Sequence, residues 1–416
     1  MKKQQTRNII IYWKGRAMNH LCSFLQILDI KYCQMDDEDT DMEFIDRANI
    51  IIATPGIKPS HRLYRDHHTK ILSELSFLWL LIQEWYLPRY KDHVCIVGIT
   101  GTNGKSTTTR MTYQILTQGH KSVLWNQYIH IGGNFDKPLS GILTEIIQNK
   151  QTTENHIVVL EVSSFMLWRL QNFYFNIGVF LNIELDHQDR HGNMKDYLSA
   201  KANILTHAGK AITSMKLKSQ LPKNENYIVY EKYPLENLSF LGEHNKCNAG
   251  AVHSILKCLD LNYDESLWIT IEWLPHRLQI LDPIDGITII DDGISTSSYS
   301  LSTAIVTQKT PFVLICGGYD NSDDYNSLKN ILTKKGPSIV VYGQIAPHIY
   351  PLAKSLWLEC VMLSKLEESV LEAFSIAKKK NLTTIVFSPW AKSFDLFDNV
   401  YHRISTFDNI IKKLRK

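Results

Sequence analysis

The segment from Gly101 to Thr107 is suited to holding phosphate groups. It reads Gly-Thr-Asn-Gly-Lys-Ser-Thr, it follows an apolar run that predicts a buried strand, and a helical pattern begins within it. In such an arrangement backbone N–H groups and a helix N-terminus surround an anion. Lys105 would pair with the β- and γ-phosphates, and the Ser106 hydroxyl would face Mg²⁺. Ile99 stands where the usual pattern has its first glycine, so the sequence predicts a variant phosphate loop.

Polar clusters follow two further apolar runs. The run 157–160 precedes the polar cluster 161–164, and the run 177–181 precedes a longer polar stretch at 182–191. In open α/β sheets, ligands bind at the carboxyl ends of the strands. We therefore expect the phosphate loop and both clusters to form one site.

The elements that must position these residues alternate between apolar runs and helical patterns. In the last third of the chain the apolar runs stand at 287–290, 312–315, 339–342 and 384–387. Strands that alternate with helices indicate parallel sheets. We predict an α/β protein with three domains, at residues 1–90, 91–275 and 276–416.

The composition excludes several classes of protein. The 416 residues include 44% hydrophobic and 21% charged residues, which is typical of a soluble globular protein. The net charge of +3 gives no electrostatic argument for nucleic-acid binding. Seven cysteines without a C-x-x-C pair favour free thiols in a reducing compartment. With no signal peptide and no run of about 18 apolar residues, we expect a cytoplasmic monomer without membrane insertion.

Six segments, in the same order along the chain, resemble the Mur ligases. This family attaches amino acids to a UDP-linked muropeptide precursor with ATP. The segments are the phosphate loop, E-x-S-S-F at 161–165, N-x-x-x-D-H-x-D with A-K at 182–201, G-x-H-N-x-x-N at 242–248, P-H-R at 275–277 and S-P-x-x-x-S-x-D-x-F at 388–397. The resemblance implies a Rossmann-like N-terminal domain, a central phosphate-loop ATPase domain and a Rossmann-like C-terminal domain.

The resemblance also implies a chemistry and its residues. ATP activates a carboxylate as an acyl phosphate, and the amine of the incoming amino acid displaces phosphate. Catalysis is assigned to Lys105, His187 and a carbamylated Lys201. The implied Mg²⁺ ligands are Ser106, Glu161, His187 and Lys201, of which His187 suits Mg²⁺ least because Mg²⁺ prefers oxygen. The implied ATP contacts are Gly101, Thr102, Asn103, Gly104, Lys105, Ser106, Thr107, Asn245, Asn248, Arg277 and Asp292.

The short length and the last segment resemble the branch that adds glutamate to UDP-N-acetylmuramoyl-L-alanine. At the UDP end the resemblance implies Gly15, with Lys14 or Arg16 adding charge, Asp36 or Asp37 for the uridine, and Thr54. Four further residues are expected to contact the other substrates. They are Asn134, Ser163, Thr296 and Ser393.

The glutamate pocket departs from the family pattern. Ile294 and Asn321 stand where ligases for D-glutamate have lysines, and Val400 stands where they have phenylalanine. Lys392 and Arg403 could supply the missing cations. A branch that adds L-glutamate has a pocket resembling D-x-I-S-T, as here, which favours the L-isomer by a small margin and leaves the D-isomer open.

Two alternatives remain from the sequence. One is a ligase resembling folylpolyglutamate synthetase, which shares the fold, the loop and the chemistry. The other is a non-catalytic, nucleotide-binding Mur homologue, suggested by the single glycine in the first turn, at Gly15, and by the lost lysines. The intact Lys105, Glu161 and His187 argue against the second alternative.

Overall fold

The computed structural model describes residues 8–12, 15–36, 42–58, 60–85, 93–119, 127–134, 137–151, 154–234, 243–261, 263–271, 275–296, 298–320 and 325–415. The chain divides into two compact units. The first comprises Met1–Leu238 with Glu243–Ile271, and the second comprises Ser239–Gly242 with Glu272–Lys416.

A four-stranded parallel sheet opens the first unit, with strand order β2-β1-β3-β4. Its strands are β1 (Ile9–Tyr12), β2 (Cys33–Met35), β3 (Ile50–Ala53) and β4 (Ile71–Leu72). Its helices are α1 (Arg16–Ile27), α2 (Met42–Arg47), α3 (Arg62–His67) and α4 (Glu74–Leu80), the last followed by a π-helical turn, Leu81–Trp85. β1 and β3 are buried along their whole length, which explains their uninterrupted runs of isoleucine.

A six-stranded parallel sheet follows in the same unit, with order β10-β9-β8-β5-β7-β6. Its strands are β5 (Val94–Thr100), β6 (Gln127–Gly133), β7 (Asn155–Glu161), β8 (Phe175–Phe180), β9 (Ala208–Ser214) and β10 (Ile228–Tyr230). Its helices are α5 (Lys105–Gly119), α6 (Leu139–Gln148), α7 (Ser164–Leu167), α8 (Gln188–His191), α9 (Met194–Thr206), α10 (Met215–Lys218) and α11 (Glu243–Cys258), with a 3₁₀ turn at Glu265–Thr270. The connections that leave the neighbouring strands β5 and β8 run in opposite directions, which opens a crevice at their carboxyl ends.

One hydrophobic core joins the two sheets of the first unit. Ile11 of β1 and Phe24 of α1 belong to the same buried cluster as Ile96 of β5 and Leu143 of α6, and α1 packs against α6. This continuous apolar packing is why the N-terminal and central sheets form one compact unit. The predicted boundary at residue 90 stays a prediction, because residues 86–92 lie outside the described part of the chain.

The second unit contains a six-stranded sheet with order β11-β12-β16-β13-β14-β15. Its strands are β11 (Gln279–Ile284), β12 (Ile287–Asp291), β13 (Val313–Gly317), β14 (Ser338–Tyr342), β15 (Cys360–Leu363) and β16 (Thr384–Trp390). Its helices are α12 (Ser298–Val306), α13 (Lys329–Lys335), α14 (Ala346–Ser355), α15 (Leu366–Lys380) and α16 (Val400–Leu414), with a 3₁₀ turn at Tyr325–Leu328. Separate apolar clusters lie on its two faces, so its central strands are buried on both sides.

The predicted α/β class is confirmed, and all four apolar runs predicted in this unit fall on strands. Two strands of this sheet were not predicted: β11, which pairs antiparallel with β12, and β15, which pairs parallel with β14. Within the described residues, no helix is long and apolar enough to cross a bilayer.

Candidate active site

The phosphate loop connects β5 to α5, and its two glycines are both required by their surroundings. A Cβ on Gly101 would lie 3.1 Å from the Leu181 Cβ. Gly104 has φ +80°, and a Cβ there would come within 2.4 Å of the Asn248 Oδ1 atom. A side chain at position 104 would therefore meet both backbone strain and a steric overlap.

The end of β8 holds the loop in place through Asn182. The Asn103 N–H donates to the Asn182 Oδ1 atom at 2.9 Å, and the Asn182 side-chain amide donates back to the Asn103 carbonyl at 3.0 Å. The Thr102 N–H donates to the Asn182 carbonyl at 3.0 Å, and the Thr102 hydroxyl accepts from the Glu184 N–H at 3.0 Å. The sequence analysis quoted Asn182 in a motif and gave it no role; its position directly after a buried strand was the available signal.

Glu161 brings together residues from three elements at the carboxyl edge of the central sheet. It ends β7 and is 2% exposed. Its Oε2 atom accepts from the Ser106 hydroxyl of α5 at 2.6 Å, and its Oε1 atom accepts from the Asn134 side-chain amide at 3.0 Å. The predicted convergence of Ser106, Glu161 and Asn134 is thus present. The Ser106 and Glu161 oxygens are hard donors of the kind that Mg²⁺ prefers, so they fit this ion.

Lys201 lies on α9 beside the same loop, and its side chain is 1% exposed. Its Nζ atom donates to the Gly101 carbonyl at 2.7 Å and stands 4.8 Å from the centre of the Tyr197 ring. Burial, followed by the nearby Lys105 cation, lowers the pKa of Lys201 well below its ordinary value. Burial thus favours the neutral form of the Lys201 amine, which is the form that can act as a nucleophile.

Lys105 begins α5, and its Nζ atom donates to the Thr102 carbonyl at 2.9 Å. Thr107, two residues further along α5, is buried. The ammonium group of Lys105 thus lies at the mouth of the loop, as a phosphate-pairing lysine must. Its charge is also close enough to depress the pKa of Lys201.

His187 stands near this centre on α8. It adopts the left-handed conformation with φ +52°, and its ring packs edge-on against Phe165 at a centroid distance of 4.9 Å. Its Nε2 atom is 3.5 Å from the Asp186 Oδ2 atom. Among the described residues, no metal-sized group of three His, Cys, Asp and Glu ligand atoms contains His187 or Glu161. A shared ion between these two side chains stays a prediction.

The two motif asparagines of α11 contact each other, and one of them lies against the loop. Asn245 and Asn248 are buried, and the Asn248 amide donates to the Asn245 Oδ1 atom at 3.0 Å. Asn248 is the side chain that occupies the space beside Gly104. Both asparagines thus lie at the predicted nucleotide site.

Ser163 has a structural partner at this edge. Its hydroxyl accepts from the Met166 N–H at 3.3 Å and caps α7, which satisfies one of the free donors at a helix start. Its predicted substrate contact stays a prediction.

The predicted UDP-binding residues lie at the carboxyl edge of the N-terminal sheet. Gly15 is exposed at the start of α1 with φ +147°, Asp36 follows β2, and Thr54 follows β3. The side chain of Arg16 lies outside the described residues. These positions follow consecutive strand ends, as a ligand-binding edge requires.

Arg190 links the central site to the loop after β3. Its Nη1 atom donates to the Gly56 carbonyl at 2.9 Å and its Nη2 atom to the Pro55 carbonyl at 2.6 Å. The guanidinium carbon also lies 4.8 Å from the centre of the Phe165 ring. The sequence analysis missed this arginine, although it stands only three residues after His187.

In the second unit, the two remaining predicted ATP contacts are close to each other. Asp292 follows β12, is 3% exposed and accepts from the Ser388 hydroxyl at 2.8 Å. Burial raises the pKa of Asp292 to about 7, and the charge of Arg277 opposes this rise. The charge of Arg277 thus acts on Asp292 within this unit, and their shared role in holding ATP stays a prediction.

His276 lies between two carboxylates. Its Nδ1 atom is 2.7 Å from the Asp291 Oδ2 atom, and its Nε2 atom is 3.9 Å from the Asp408 Oδ2 atom. The hydrogen bond to Asp291 raises the pKa of His276. A protonated imidazole would balance the charge of the buried Asp291, so this cluster has an explanation without a metal ion.

The expectation that Arg403 supplies a missing cation of the glutamate pocket is wrong. Arg403 is 0% exposed and donates from Nη1 to the Ala391 carbonyl at 2.7 Å, and from Nη2 to the Gly293 and Ser295 carbonyls at 3.1 and 2.9 Å. Its guanidinium is therefore committed to the backbone and does not replace a substrate-binding lysine. Lys392 is exposed, so its role as a substitute for the missing pocket lysine stays a prediction.

The other predicted pocket residues lie on the same loops. Thr296 is exposed after the turn that follows β12, Ser393 is 2% exposed after β16, and Val400 begins α16. Ile294 is half-buried in that turn. Asn321 lies outside the described residues.

A phosphate loop whose serine meets a buried carboxylate, next to a buried lysine, places the chain in the class of α/β enzymes that use a nucleoside triphosphate. Residues 99–225 match the family described as the Mur ligase middle domain. The chain is also 31% identical over 409 residues to a UDP-N-acetylmuramoylalanine–D-glutamate ligase of Aquifex aeolicus, covering 92% of each protein. The chain belongs to the Mur ligase family and is an ATP-dependent amide ligase.

Solved structures share the fold. The MurF ligase from Thermotoga maritima, in complex with ADP, aligns with 99% of this chain and 100% of its own, with a TM-score of 0.58 and 16% identity. A bifunctional folylpolyglutamate synthase/dihydrofolate synthase from Yersinia pestis aligns with 83% of this chain and 96% of its own, with a TM-score of 0.53 and 15% identity. At such identities the likeness concerns the fold alone, and the predicted Mur ligase architecture is confirmed at that level.

Proposed function

We propose that this enzyme joins glutamate to UDP-N-acetylmuramoyl-L-alanine, releasing ADP and phosphate. The observation that carries the proposal is the contact of Ser106 and Asn134 with the Glu161 carboxylate beside the phosphate loop, since a carboxylate there is suited to hold Mg²⁺ near a γ-phosphate. The match with the ligase of Aquifex aeolicus, which extends over 92% of both chains, supports the substrates. The place of such an enzyme is in peptidoglycan precursor synthesis.

The residues of the loop would lower the repulsion between two anions. ATP and the substrate carboxylate must approach each other, and the loop N–H groups together with Lys105 offset the phosphate charge. Mg²⁺, held by Ser106 and Glu161, would add positive charge at the transferred phosphoryl group. Arg277 and Asp292 are proposed to hold the rest of the nucleotide.

We propose that Lys201 carries a carbamate. The neutral amine would attack the carbon of CO₂, a C–N bond would form, and one proton would leave, which converts a potential cation into an anion. The complete burial of Lys201 at the Gly101 carbonyl supports a specialised role, as does its place in the A-K segment. The carbamate would strengthen the negative donor set for Mg²⁺.

Labelled bicarbonate tests this modification. We expect the protein equilibrated with ¹³C-bicarbonate to show one carbamate resonance by ¹³C NMR that is missing from a Lys201→Met variant. A wild-type spectrum without that resonance would remove the proposal, whatever the activity of the enzyme.

The reaction can be tested separately with D-glutamate and with L-glutamate, because the pocket and the relatives favour different isomers. The relatives are named for D-glutamate, whereas Ile294 replaces a pocket lysine as in the branch that adds L-glutamate. Phosphate release should be measured with ATP, Mg²⁺ and UDP-N-acetylmuramoyl-L-alanine, offering each isomer separately.

We expect glutamate-dependent release with one isomer, and a fall in kcat of roughly a hundredfold for Glu161→Gln, because the variant loses the metal-binding charge. Glu145→Gln, a surface change on α6, is the matched control. Equal absence of release with both isomers in the wild type would refute the proposed reaction.

A further inference from the structure

Arg403 is a completely buried cation that forms no ion pair with a carboxylate among the described residues. It projects from α16 and is 0% exposed. Within the described residues, no carboxylate oxygen lies within ion-pair distance of its nitrogens, and its three hydrogen bonds all go to backbone carbonyls. Burial accordingly lowers the pKa of Arg403. Because burying a cation without a carboxylate is costly, its retention indicates that the hydrogen-bond geometry of the guanidinium is needed.

Its acceptors lie on two separate loops. The Gly293 and Ser295 carbonyls belong to the turn after β12, and the Ala391 carbonyl belongs to the segment after β16. Thr296 follows the first loop directly, and Ser393 lies two positions beyond Ala391. One side chain thus holds both loops that carry predicted glutamate contacts.

A third loop is tied to the same segment. The Tyr319 N–H donates to the Lys392 carbonyl at 2.8 Å. Gly318, with φ +132°, passes so close that a Cβ there would lie 2.4 Å from the Lys392 carbonyl oxygen. The segment that Arg403 fixes therefore also sets the position of the turn after β13.

We propose that Arg403 is a positioning residue that sets the affinity for the incoming glutamate by fixing the loops of Thr296 and Ser393. The proposal rests on the proposed function, since it concerns the same amino-acid site. Arg403 does not contact the substrate itself, because its guanidinium is enclosed and bonded to the backbone. It therefore acts on binding, through the spacing of two polar side chains, and leaves the phosphoryl chemistry of the other unit unchanged.

Arginine is needed because its planar fork reaches acceptors that are spread over two loops. A lysine would keep the charge but would present its donors from a single point, so at least one loop would be released. We expect Arg403→Lys to raise the KM for glutamate by about tenfold. The KM for ATP and the kcat at saturating glutamate should change less than about twofold.

The matched control is Arg415→Lys, the same change at the C-cap residue of α16. Arg415 is more exposed and donates to the Asp282 carbonyl at 3.0 Å, away from both loops. We expect no change in any KM. A double variant, Arg403→Lys with Thr296→Ala, should show a smaller loss than the product of the two single losses, because both act on one contact.

Several results would overturn the proposal. An active wild type whose glutamate KM is unchanged in Arg403→Lys would do so, even if the melting temperature fell, because the arginine would then serve stability alone. The proposal would also be overturned if the rise in glutamate KM of the double variant equalled the product of the two single rises. Failure of both Arg403→Lys and Arg403→Gln to fold would overturn it too. By contrast, a wild type without glutamate-dependent phosphate release would refute the proposed function first.

Discussion

Two asparagines that lie outside the phosphate loop determine its shape. Asn182 bonds the backbone of Asn103 in both directions, and Asn248 fills the space beside Gly104. The backbone of the loop is therefore set by neighbouring elements as well as by its own glycines. This explains how a loop with Ile99 in place of the usual first glycine can still be well defined.

Gly104→Ala tests this arrangement. A left-handed alanine costs roughly 1 kcal/mol from the backbone alone, and its Cβ would also overlap the Asn248 Oδ1 atom. We expect ATP to bind at least about tenfold more weakly, as measured by calorimetric titration.

Gly286→Ala is the control for the backbone term. Gly286 has φ +77°, and a Cβ there would meet nothing within 4 Å. The variant should lose stability by about 1 kcal/mol and bind ATP normally. Equal ATP affinity of the two variants would show that the steric contact with Asn248 is unimportant.

Motif residues were predictable and long-range backbone contacts were not. Ser106 and Glu161 could be placed together from the sequence, because both follow buried strands whose ends share one edge of a sheet. Arg190 and Arg403 could not, since an arginine that reaches a distant carbonyl leaves no periodic signal in the sequence. Both arginines act on loops whose conformation is a tertiary property.

At the scale of elements, the short helix α8 connects two sites. It begins just after His187 near the phosphate loop, and Arg190 on it binds the Pro55 and Gly56 carbonyls of the N-terminal sheet. Thr54, a predicted UDP contact, directly precedes those two residues. The helix therefore ties the loop that carries the predicted UDP contact to the segment of His187.

Arg190→Lys should weaken this connection. One of the two acceptors is exposed and the other is half-buried, so losing one of these hydrogen bonds costs about 0.5–1.5 kcal/mol. We expect the KM for UDP-N-acetylmuramoyl-L-alanine to rise about tenfold, with the KM for ATP unchanged, in steady-state phosphate release.

Arg169→Lys provides the comparison. Arg169 donates to the His68 carbonyl at 3.0 Å and lies over the Tyr64 ring, so it also joins the central segment to the N-terminal sheet. Its acceptor is the His68 carbonyl and not a carbonyl of the loop after β3. The Arg169→Lys variant should therefore keep the KM for UDP-N-acetylmuramoyl-L-alanine and the KM for ATP. A similar rise for both variants would point to general loosening of the unit.

Element boundaries depended on the strength of the local signal. The hairpin between β11 and β12 turns at Asp285-Gly286, both with positive φ, and this pair is a known hairpin signal that could have been used. The start of α1 at Arg16 was harder to predict, because its N-cap, Gly15, has no side chain to cap the helix.

At the scale of the whole molecule, the first unit contains two sheets that the sequence assigns to separate domains, and that division stays a prediction. The N-terminal and central sheets share one apolar core through α1 and α6. The sequence showed two apolar patterns separated by a polar stretch, which is the usual sign of separate domains. Packing between helices of different sheets could not be read from that pattern.

Phe24→Ala should therefore destabilise both sheets of the first unit. Removing a buried phenylalanine costs about 3–5 kcal/mol. We expect hydrogen exchange to accelerate equally for amides of β1 and β5, as measured by mass spectrometry. Leu301→Ala, a core change in the second unit, should leave the exchange of both strands unchanged. Acceleration confined to β1 would show that the two sheets unfold separately.

The shared core has a consequence for synthesis of the chain on the ribosome. The apolar surface formed by Ile11 of β1 and Phe24 of α1 is completed by Leu143 of α6 and by Ile96 of β5. Those partners emerge many seconds after β1, at ordinary rates of translation. The first apolar segments therefore stay exposed until the central sheet has been synthesised. We expect chaperones to bind the nascent chain until helix α6 has left the exit tunnel.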